Sequence, residues 1–471
     1  MTEDRIFKYF KEICAIPHGS GNMNAIADYC VDFARKHCLK VLRDKADNVI
    51  IYKDATKGYE KEETVILQGH LDMVCQKDEG VVIDFEKDGL DVYTDGDYIK
   101  AKGTTLGADN GIAVAMILTL LESDTYEHPA LEAVFTTDEE VGMIGAMQLD
   151  FSALKGTRMI NIDSEDENIL TVSCAGGSDF EMRLPLNRHE VKGTALKLVV
   201  RGLQGGHSGV EIDKGRVNAN VLMARILNFA NKTSDFSLVS ADGGDKANAI
   251  PAYSQVSVVS DKGEDLAVKL KEYAEVIREE IKFREPDFEF DVEIEGKGAF
   301  DAISSEQKDK IIFALLCAPG GVEEMSVEIE NLVETSLNLG ILKTGDKELL
   351  MHFALRSNKT SALMFLESKL EVFAGMCSFA VKKFGHYPPW EFKSDSVLQK
   401  KYKDVYKAKT GREIKVEAIH AGLECGVFAS AISGLDCISV GPQMYDIHTP
   451  RERVSMSSVK EVFGIILEVL K

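Results

Sequence analysis

Residues 65–75, VILQGHLDMVC, contain an apolar strand followed by two residues of the kind that bind a metal ion or orient its ligand. Val65, Ile66 and Leu67 predict a buried strand in a sheet that is covered on both faces. His70 and Asp72 are two residues apart, so their side chains leave the strand end on the same side. A histidine beside a carboxylate suits a metal ligand and its orienting partner. A strand-end turn with a satisfied histidine is the alternative that this stretch leaves open.

The bulk composition indicates a soluble protein of several domains. The chain has 471 residues, too many for one ordinary core, so two or three domains are expected. Its net charge of −22 argues against binding to nucleic acid or to an anionic membrane, because both require a basic face. The nine cysteines form no C-x-x-C pair, the start lacks a signal segment, and no apolar stretch could span a bilayer. We therefore predict a cytoplasmic location.

The pattern of strands and helices changes twice along the chain. Over residues 1–187, strand-like runs alternate with helical ones, which predicts an α/β domain with parallel strands. Residues 188–385 follow a β-α-β-β-α-β order and then a looser second round, so a duplicated ferredoxin-like lid and a single enlarged α+β lid both fit. The first style returns over residues 386–471. The prediction is a two-part catalytic domain, with a mixed sheet between helices, interrupted by an inserted lid or dimerisation domain.

Four further segments place acidic residues or a histidine at strand ends or in loops. Each has a plain structural explanation as a helix N-cap, a solvated turn, a turn former or a surface histidine. In open α/β sheets, however, ligands gather outside the carboxyl ends of the strands. Two histidines and three carboxylates suit two zinc ions that share one carboxylate. These residues are His70, Asp109, Glu140, Asp163 and His448, with Glu139 left free to handle protons.

Five short motifs carry a resemblance to a known family. GHLDMV, LGADNG, TDEEVG, NIDSED and DIHTPRE, in this order, resemble the motif series of the di-zinc metallopeptidases that include aminoacylases, carboxypeptidases and dipeptidases. Further stretches, among them GGHSGVEIDKGRVNAN, ANAIPAYS and HAGLECGVF, are most similar to bacterial aminoacyl-histidine (Xaa-His) dipeptidases. The resemblance extends over essentially the whole chain.

The resemblance implies a role for each residue of the metal set. Asp109 would bridge both metals, His70 and Asp163 would complete one site, and Glu140 with His448 the other. Asp72 would hold the orientation and tautomer of His70, and Glu139 would be the general base. The resemblance also implies a cis peptide bond between Asp109 and Asn110.

Residues of the inserted domain resemble the substrate-holding residues of the same family. His207, in GGHSG, would donate to the oxyanion; a loop histidine beside flexible glycines is the alternative. Arg356 and Asn248 would bind the carboxylate of the peptide, although structural roles remain open for both. His420 and Gly422 lie in a predicted strand-to-helix loop whose backbone N–H groups can hold an anion.

These observations predict a metal-dependent dipeptidase that also hydrolyses Xaa-His dipeptides. The expected cofactors are two divalent ions, zinc first, with manganese or cobalt as alternatives. A related amide hydrolase, such as a tripeptidase or an acylamino-acid deacylase, is the alternative enzyme. A non-catalytic peptide-binding relative is disfavoured, because a binding protein needs no base such as Glu139 beside its ligand. Small peptides are the expected partners, and a homodimer through the lid domain is a further expectation.

Overall fold

The computed structural model describes residues 3–471, with side chains from residue 5 onwards. The helices, in chain order, are α1 (Glu3–Cys14), α2 (Asn24–Lys36), α3 (Ala108–Glu122), α4 (Ile144–Gln148), α5 (Ala219–Thr233), α6 (Gly263–Ile281), α7 (Ser305–Cys317), α8 (Thr360–Met376), α9 (Val397–Thr410), α10 (Glu424–Ala431) and α11 (Met456–Leu470). Two 3₁₀ turns occur, at Phe151–Ala153 and Ile212–Lys214. Across this described range, no helix combines the length and the apolarity that crossing a membrane requires.

The strands form two large sheets and two small ones. In chain order they are β1 (Lys40–Arg43), β2 (Val49–Lys53), β3 (Val65–His70), β4 (Val92–Asp95), β5 (Tyr98–Ala101), β6 (Leu131–Thr136), β7 (Arg158–Asn161), β8 (Ile169–Cys174), β9 (Gly176–Pro185), β10 (Arg188–Arg201), β11 (Gly206–His207), β12 (Ser237–Gly243), β13 (Ala249–Ile250), β14 (Ser254–Ser260), β15 (Glu289–Ile303), β16 (Gly321–Met325), β17 (Val333–Thr344), β18 (Glu348–Ser357), β19 (Ala380–Tyr387), β20 (Lys415–Ile419), β21 (Asp436–Ser439), β22 (Met444–Tyr445) and β23 (Arg453–Ser455).

The chain divides into two compact units. Unit 1 comprises Met1–Cys174, Trp390–Ala418 and Leu423–Lys471, and unit 2 comprises Ala175–Pro389 and Ile419–Gly422. The predicted division by function, with its boundaries at residues 187/188 and 385/386, stays a prediction.

Unit 1 is built on an eight-stranded sheet in the order β1-β2-β6-β3-β7-β21-β8-β20. The predicted strand of the opening motif is confirmed as β3, which is buried along its whole length. It pairs in parallel with β6 on one side and with β7 on the other. Burial on both faces explains its continuous apolar run. Because the three strands run parallel, their carboxyl ends meet at one edge of the sheet.

Helix α3 packs against β3 and is buried over nearly its whole length. The sequence predicts it over residues 111–122, and the structure begins it at Ala108, with non-helical backbone at Asp109 and Asn110. A Cβ atom on Gly69 would lie 2.4 Å from Oδ1 of Asn110 and 3.1 Å from Cβ of Ala113. Glycine at 69 therefore lets this helix approach the end of β3.

Unit 2 holds a nine-stranded antiparallel sheet, in which eight strands form two similar halves and the ninth, β16, pairs with β17. One half contains β10, α5, β12, β14, α6 and β15, and its strands lie in the sheet order β15-β10-β14-β12. The other contains β9, α7, β17, β18, α8 and β19, in the sheet order β19-β9-β18-β17. Both halves are β-α-β-β-α-β units with the same spatial order, fourth-first-third-second. Of the two predicted forms of the lid, the duplicated ferredoxin-like one is therefore the form observed.

The two halves of unit 2 are nested in the chain rather than consecutive. The first strand of the outer half, β9, precedes the whole inner half, and the remaining elements of the outer half follow it. The halves join through β12 and β17, where Gly243 pairs with Leu342. Their helices cover one continuous core that includes Leu198, Ile226 and Phe353.

We predict that Gly441→Ala destabilises unit 1. A Cβ atom at this position, just beyond β21, would lie 1.6 Å from the carbonyl oxygen of Ser164. The backbone must shift to relieve this steric clash, and overpacking of this kind costs about 1–3 kcal/mol. The free energy of unfolding, from urea titration, should fall by this amount.

Gly464→Ala is the matched control for this substitution. Gly464 lies inside α11, and a Cβ atom there would meet only Nζ of Lys409, at 3.9 Å. Alanine in a helix interior is favoured over glycine by about 0.5–1 kcal/mol. An unfolding free energy of Gly441→Ala equal to that of the wild type would contradict the packing described here.

Candidate active site

His70, the last residue of β3, is the centre of a buried cluster in unit 1. Its Nδ1 lies 3.0 Å from the backbone oxygen of Asp72 and 3.5 Å from the Asp72 carboxylate. Both neighbours are acceptors, so Nδ1 carries a proton, and Nε2 is the nitrogen that a metal ion could take. Nε2 faces Oδ1 of Asp109 at 3.2 Å and Oδ1 of Asp163 at 3.4 Å. This orientation of the ring is the one that a metal ligand needs.

The carboxylate of Asp109 lies between two histidines. Its Oδ1 is 3.2 Å from Nε2 of His70, and its Oδ2 is 3.3 Å from Nε2 of His448. One carboxylate thus presents one oxygen to each imidazole, which is the arrangement that a bridging ligand requires. The peptide bond between Asp109 and Asn110 is cis, as predicted. Nδ2 of Asn110 donates to Oδ1 of Asp163 at 2.8 Å.

Glu140 and His448 form the second part of the cluster. Nε2 of His448 lies 2.8 Å from Oε1 of Glu140. His448 is in the turn between β22 and β23, and its backbone is left-handed, with φ of 58°. The ligand atoms of His70, Asp109 and Glu140 all lie within 4.8 Å of one another. The structure thus brings together all five residues predicted as metal ligands.

Asp72 connects this cluster to the acidic turn after β6. Its Oδ1 accepts the N–H of Glu139 at 2.9 Å, and its Oδ2 accepts the N–H of Glu140 at 3.2 Å. The hydroxyl of Ser20 also donates to Oδ2, at 2.8 Å. Asp72 therefore supports His70 mainly through its backbone oxygen, while its carboxylate fixes the backbone that carries Glu139 and Glu140.

The pKa values of the two histidines are high because acidic groups surround them. Burial opposes the protonation of His70, but Asp163, Asp109 and Asp72 outweigh burial and raise its pKa well above the usual value. Hydrogen bonds to Asp109 and Glu140 raise the pKa of His448 to about 10. Without another cation, both imidazoles would carry protons that balance the carboxylates.

Burial raises the pKa values of several carboxyl groups at this edge of the sheet. It raises the pKa of Asp163 to about 6, that of Glu165 to about 7 and that of Glu139 well above its usual value. The buried site contains more carboxyl groups than histidines. Divalent cations would balance the negative charge of these carboxyl groups. Histidine nitrogens with carboxylate oxygens are the donor set that zinc accepts. The residues present fit a two-metal centre.

The predicted residues of the inserted domain lie in unit 2. Nδ1 of His207 accepts the N–H groups of Gly209 and Val210 at 3.1 and 3.3 Å, so its proton belongs on Nε2. Burial lowers the pKa of His207, which keeps the ring neutral near pH 7. Arg356 is 8% exposed, and its Nη1 donates to the hydroxyl of Tyr387 at 3.0 Å.

Arg356 and Asn248 line one polar cavity of unit 2. The cavity has a volume of about 220 Å³, and Asp179 and Tyr387 also line it. Nε of Arg356 is buried and has no acceptor. A buried guanidinium with an unsatisfied donor beside a cavity is suited to bind a carboxylate.

His420 and Gly422 belong to the short segment Ile419–Gly422 of unit 2. Both ring nitrogens of His420 have partners within the unit, the hydroxyl of Ser336 at 2.7 Å and Oδ1 of Asn358 at 3.2 Å. Burial lowers the pKa of His420 to about 3. These contacts give His420 a structural place in the fold, and its predicted role toward substrate, like that of Gly422, stays a prediction.

Sequence reasoning missed several buried polar residues that support the cluster. Glu424, the first residue of α10, accepts the amide of Gln68 at 2.5 Å and the hydroxyl of Thr136 at 2.6 Å. Glu452 accepts backbone N–H groups of the loop that carries Asp109. Both glutamates lie inside quoted motifs, HAGLECGVF and DIHTPRE. Their position inside those motifs was the one feature of the sequence that could have identified them as residues that support the site.

The comparisons with known proteins agree with this geometry. Residues 66–471 match the model of peptidase family M20/M25/M40. The chain belongs to this family. The Cytosol non-specific dipeptidase of Escherichia coli strain K12 is 36% identical over 475 residues, which cover 100% of this chain and 98% of that protein. The predictions of the family, of its fold class and of a peptide-bond hydrolase are confirmed.

Two solved structures place the fold among those of peptidases. The aminoacylhistidine dipeptidase from Vibrio alginolyticus is 36% identical, has a TM-score of 0.91 and is matched over 99% of this chain and 96% of that one. A tripeptidase from Staphylococcus aureus is 15% identical, with a TM-score of 0.57 over 100% of this chain and 98% of that one. At this identity, the second likeness shows the fold alone.

We predict that Glu424 makes the stability of the metal-free protein depend on pH. Burial raises the pKa of Glu424 to about 8 from the usual 4.5. Between these values the folded state holds a proton that the unfolded state has lost, so stability falls as pH rises. Glu424→Gln removes this dependence, which should amount to roughly 2–4 kcal/mol between pH 5 and 8.

Urea titrations at pH 5 and at pH 8 on metal-free wild type and variant measure the effect. The difference in unfolding free energy between the two pH values should be smaller in Glu424→Gln. The comparison removes the contribution of every group that titrates independently of Glu424 in both proteins. Parallel pH profiles would show that the carboxyl group of Glu424 is already ionised at pH 5.

Proposed function

We propose that this protein is a metal-dependent dipeptidase whose substrates include Xaa-His dipeptides. The observation that carries the proposal is the carboxylate of Asp109, with one oxygen 3.2 Å from His70 and the other 3.3 Å from His448. Such an arrangement suits two metal ions that share one carboxylate. The names of the Escherichia coli and Vibrio alginolyticus relatives support dipeptides as the substrate class.

His70, Asp109 and Asp163 would hold one ion, and Asp109, Glu140 and His448 the other. Two such ions supply Lewis acidity, which polarises the scissile carbonyl group and makes water more acidic. Zinc is the expected metal, and manganese or cobalt would accept the same ligands. Asp72 keeps His70 in the Nδ1–H tautomer, and so leaves Nε2 available for a metal.

Glu139 is the proposed general base. The carboxylate of Asp72 fixes the backbone of Glu139. Burial raises the pKa of the Glu139 carboxyl group, which increases its affinity for a proton. It would accept the proton of the attacking water and pass it to the leaving amine. The neighbouring Glu140 contacts His448, so the two adjacent glutamates have separate tasks.

Residues of unit 2 are proposed to hold the substrate. His207 is neutral and carries its proton on Nε2, so it can donate to a carbonyl oxygen as negative charge develops. Arg356, with its unsatisfied Nε, would bind the carboxylate of the peptide, and Asn248 lines the same cavity.

A hydrolysis panel tests the substrate class directly. Purified protein with added Zn²⁺, Mn²⁺ or Co²⁺ is supplied with dipeptides that include Xaa-His, with tripeptides and with acyl-amino acids. Dipeptides should be cleaved with the highest kcat/KM, and a chelator should abolish the activity. Preference for tripeptides or acyl-amino acids would favour the alternative amide hydrolases, and binding without hydrolysis would favour a peptide-binding relative.

Assembly and location complete the proposal. Helix α8 exposes Phe365, Val372 and Met376, which are 69%, 66% and 82% accessible, and these apolar side chains support a homodimer formed through unit 2. Sedimentation velocity would test the dimer. The nine free cysteines and the cytosolic name of the Escherichia coli relative support a cytoplasmic location.

We predict that Glu139→Gln retains its metal ions but loses about 10²–10⁴-fold in kcat, the usual contribution of a general base. Glutamine keeps the shape of the side chain and cannot accept the proton. Metal content per chain is measured alongside the steady-state rate. Asp138→Asn, in the same acidic turn, is the matched control and should keep most of the activity. A Glu139→Gln variant with half of the wild-type activity would refute the assignment.

We predict that His207→Ala lowers kcat by about 10²–10³-fold, the usual size for one oxyanion donor, with unchanged metal content. A donor of this kind acts mainly in the transition state, so the effect should appear in kcat more than in KM. His189→Ala, an exposed histidine of β10, is the control and should behave like the wild type. A rise in KM alone would make His207 a substrate-binding residue, and no change would leave it a loop histidine.

A further inference from the structure

Glu452 has an unusual set of hydrogen bonds for a buried carboxylate. It lies four residues after His448 and is only 3% exposed. Its two oxygens accept N–H groups from four consecutive residues, two that precede α3 and the first two of α3 itself. Oε2 accepts from Leu106 at 2.8 Å and Gly107 at 3.2 Å, and Oε1 accepts from Ala108 at 2.8 Å and Asp109 at 3.4 Å.

The backbone of this segment cannot satisfy these N–H groups by itself. They stand at the N-terminus of α3, where the first N–H groups of a helix have no partner within the helix. Gly107 is at the N-cap position with a left-handed φ of 68° and offers no side chain to cap the helix. Glu452, more than 340 residues along the chain, supplies the missing acceptors. Burial raises the pKa of Glu452 to about 7, and the hydrogen bonds from these N–H groups act in the opposite direction and favour its ionised form.

We infer that Glu452 is a positioning residue of the metal centre, which fixes Asp109 so that one carboxylate can serve two metal ions. The inference rests on the proposed function. Both oxygens of Glu452 are already engaged by backbone N–H groups, so it is placed to act through the loop rather than as a ligand or a base. The last of the four donors is the N–H of Asp109 itself.

The geometry of Asp109 explains why such a fixed loop matters. Its two oxygens must face different histidines, at 3.2 and 3.3 Å, so a small rotation of the loop would favour one contact at the expense of the other. Glu452 and His448 belong to the same segment, residues 448–452. The carboxylate of Glu452 therefore connects the backbone around Asp109 to the chain segment that carries His448. It fixes the position of Asp109 relative to His448.

Glu452→Gln tests the inference through metal affinity. The amide group of glutamine would place its own N–H donors against backbone N–H donors, so about half of the hydrogen bonds are lost. Residues that orient metal ligands typically contribute 10–100-fold in affinity. The full-length protein is dialysed to equilibrium against a series of buffered Zn²⁺ concentrations, and zinc per chain is measured. At least one of the two zinc ions should bind 10–100-fold more weakly than in the wild type.

Glu132→Gln is a matched control within unit 1. Glu132 is also 3% exposed, and it accepts the backbone N–H groups of Lys155 and Gly156 at 3.0 Å. It lies near the start of β6, away from the strand ends that carry the metal ligands. Both variants lose comparable hydrogen bonds, so a general loss of stability should affect both, whereas zinc affinity should fall only in Glu452→Gln.

The outcomes separate this inference from the proposed function. If the wild type neither binds zinc nor cleaves dipeptides, the proposed function fails. If the wild type does both and Glu452→Gln binds zinc as tightly, or Glu132→Gln loses the same affinity, the positioning role is refuted. Should Glu452→Gln not fold, Glu452→Asp retains the carboxyl group but is too short to reach all four donors. It must then bind zinc more weakly than the wild type, and wild-type affinity would overturn the inference.

Discussion

The sharing of one carboxylate, that of Asp109, between two histidines is the constraint on which the candidate site depends. His70 is the last residue of a central strand, whereas His448 lies in a turn near the end of the chain. Their nitrogens approach opposite oxygens of Asp109 at 3.2 and 3.3 Å. Unit 1 must therefore hold three distant segments in a fixed arrangement. The parallel strands with their common edge, and the helix α3 packed against them, position His70 and Asp109.

Much of the catalytic fold could be predicted because its signals are local. The apolar run of β3 and the polar residues at or after the ends of β3, β6 and β7 predict candidate ligands at strand ends without any knowledge of the tertiary structure. Parallel pairing then brings those ends together, as the register of Gln68 with Asn161 shows. The first β-α-β-β-α-β round of unit 2 could be predicted for a similar reason, whereas the looser second round left a duplicated and a single enlarged lid open.

Other features could not be predicted because they depend on contacts between residues far apart in sequence. The first strand of the outer half, β9, lies in the chain before the whole inner half, so its place between β18 and β19 is set by pairing and not by order. Glu424 meets Gln68 across more than 350 residues, and Glu452 meets the loop of Asp109 across a similar span. The sequence around such a glutamate does not indicate which backbone or side-chain donors will surround it once it is buried.

The same burial that organises the site also links its protons to its metals. Carboxyl groups that support or form the cluster have raised pKa values, about 6 for Asp163, 7 for Glu165 and 8 for Glu424, because burial disfavours their charged forms. Metal ligands must be deprotonated to bind, so cations and protons compete for this set of oxygens and nitrogens. A divalent ion at Asp109 would displace the protons that the pKa values of His70 and His448 otherwise retain. In the proposed mechanism, Glu139 lies next to this cluster but outside the ligand set, so the acidic turn would supply both a metal ligand, Glu140, and a general base, Glu139.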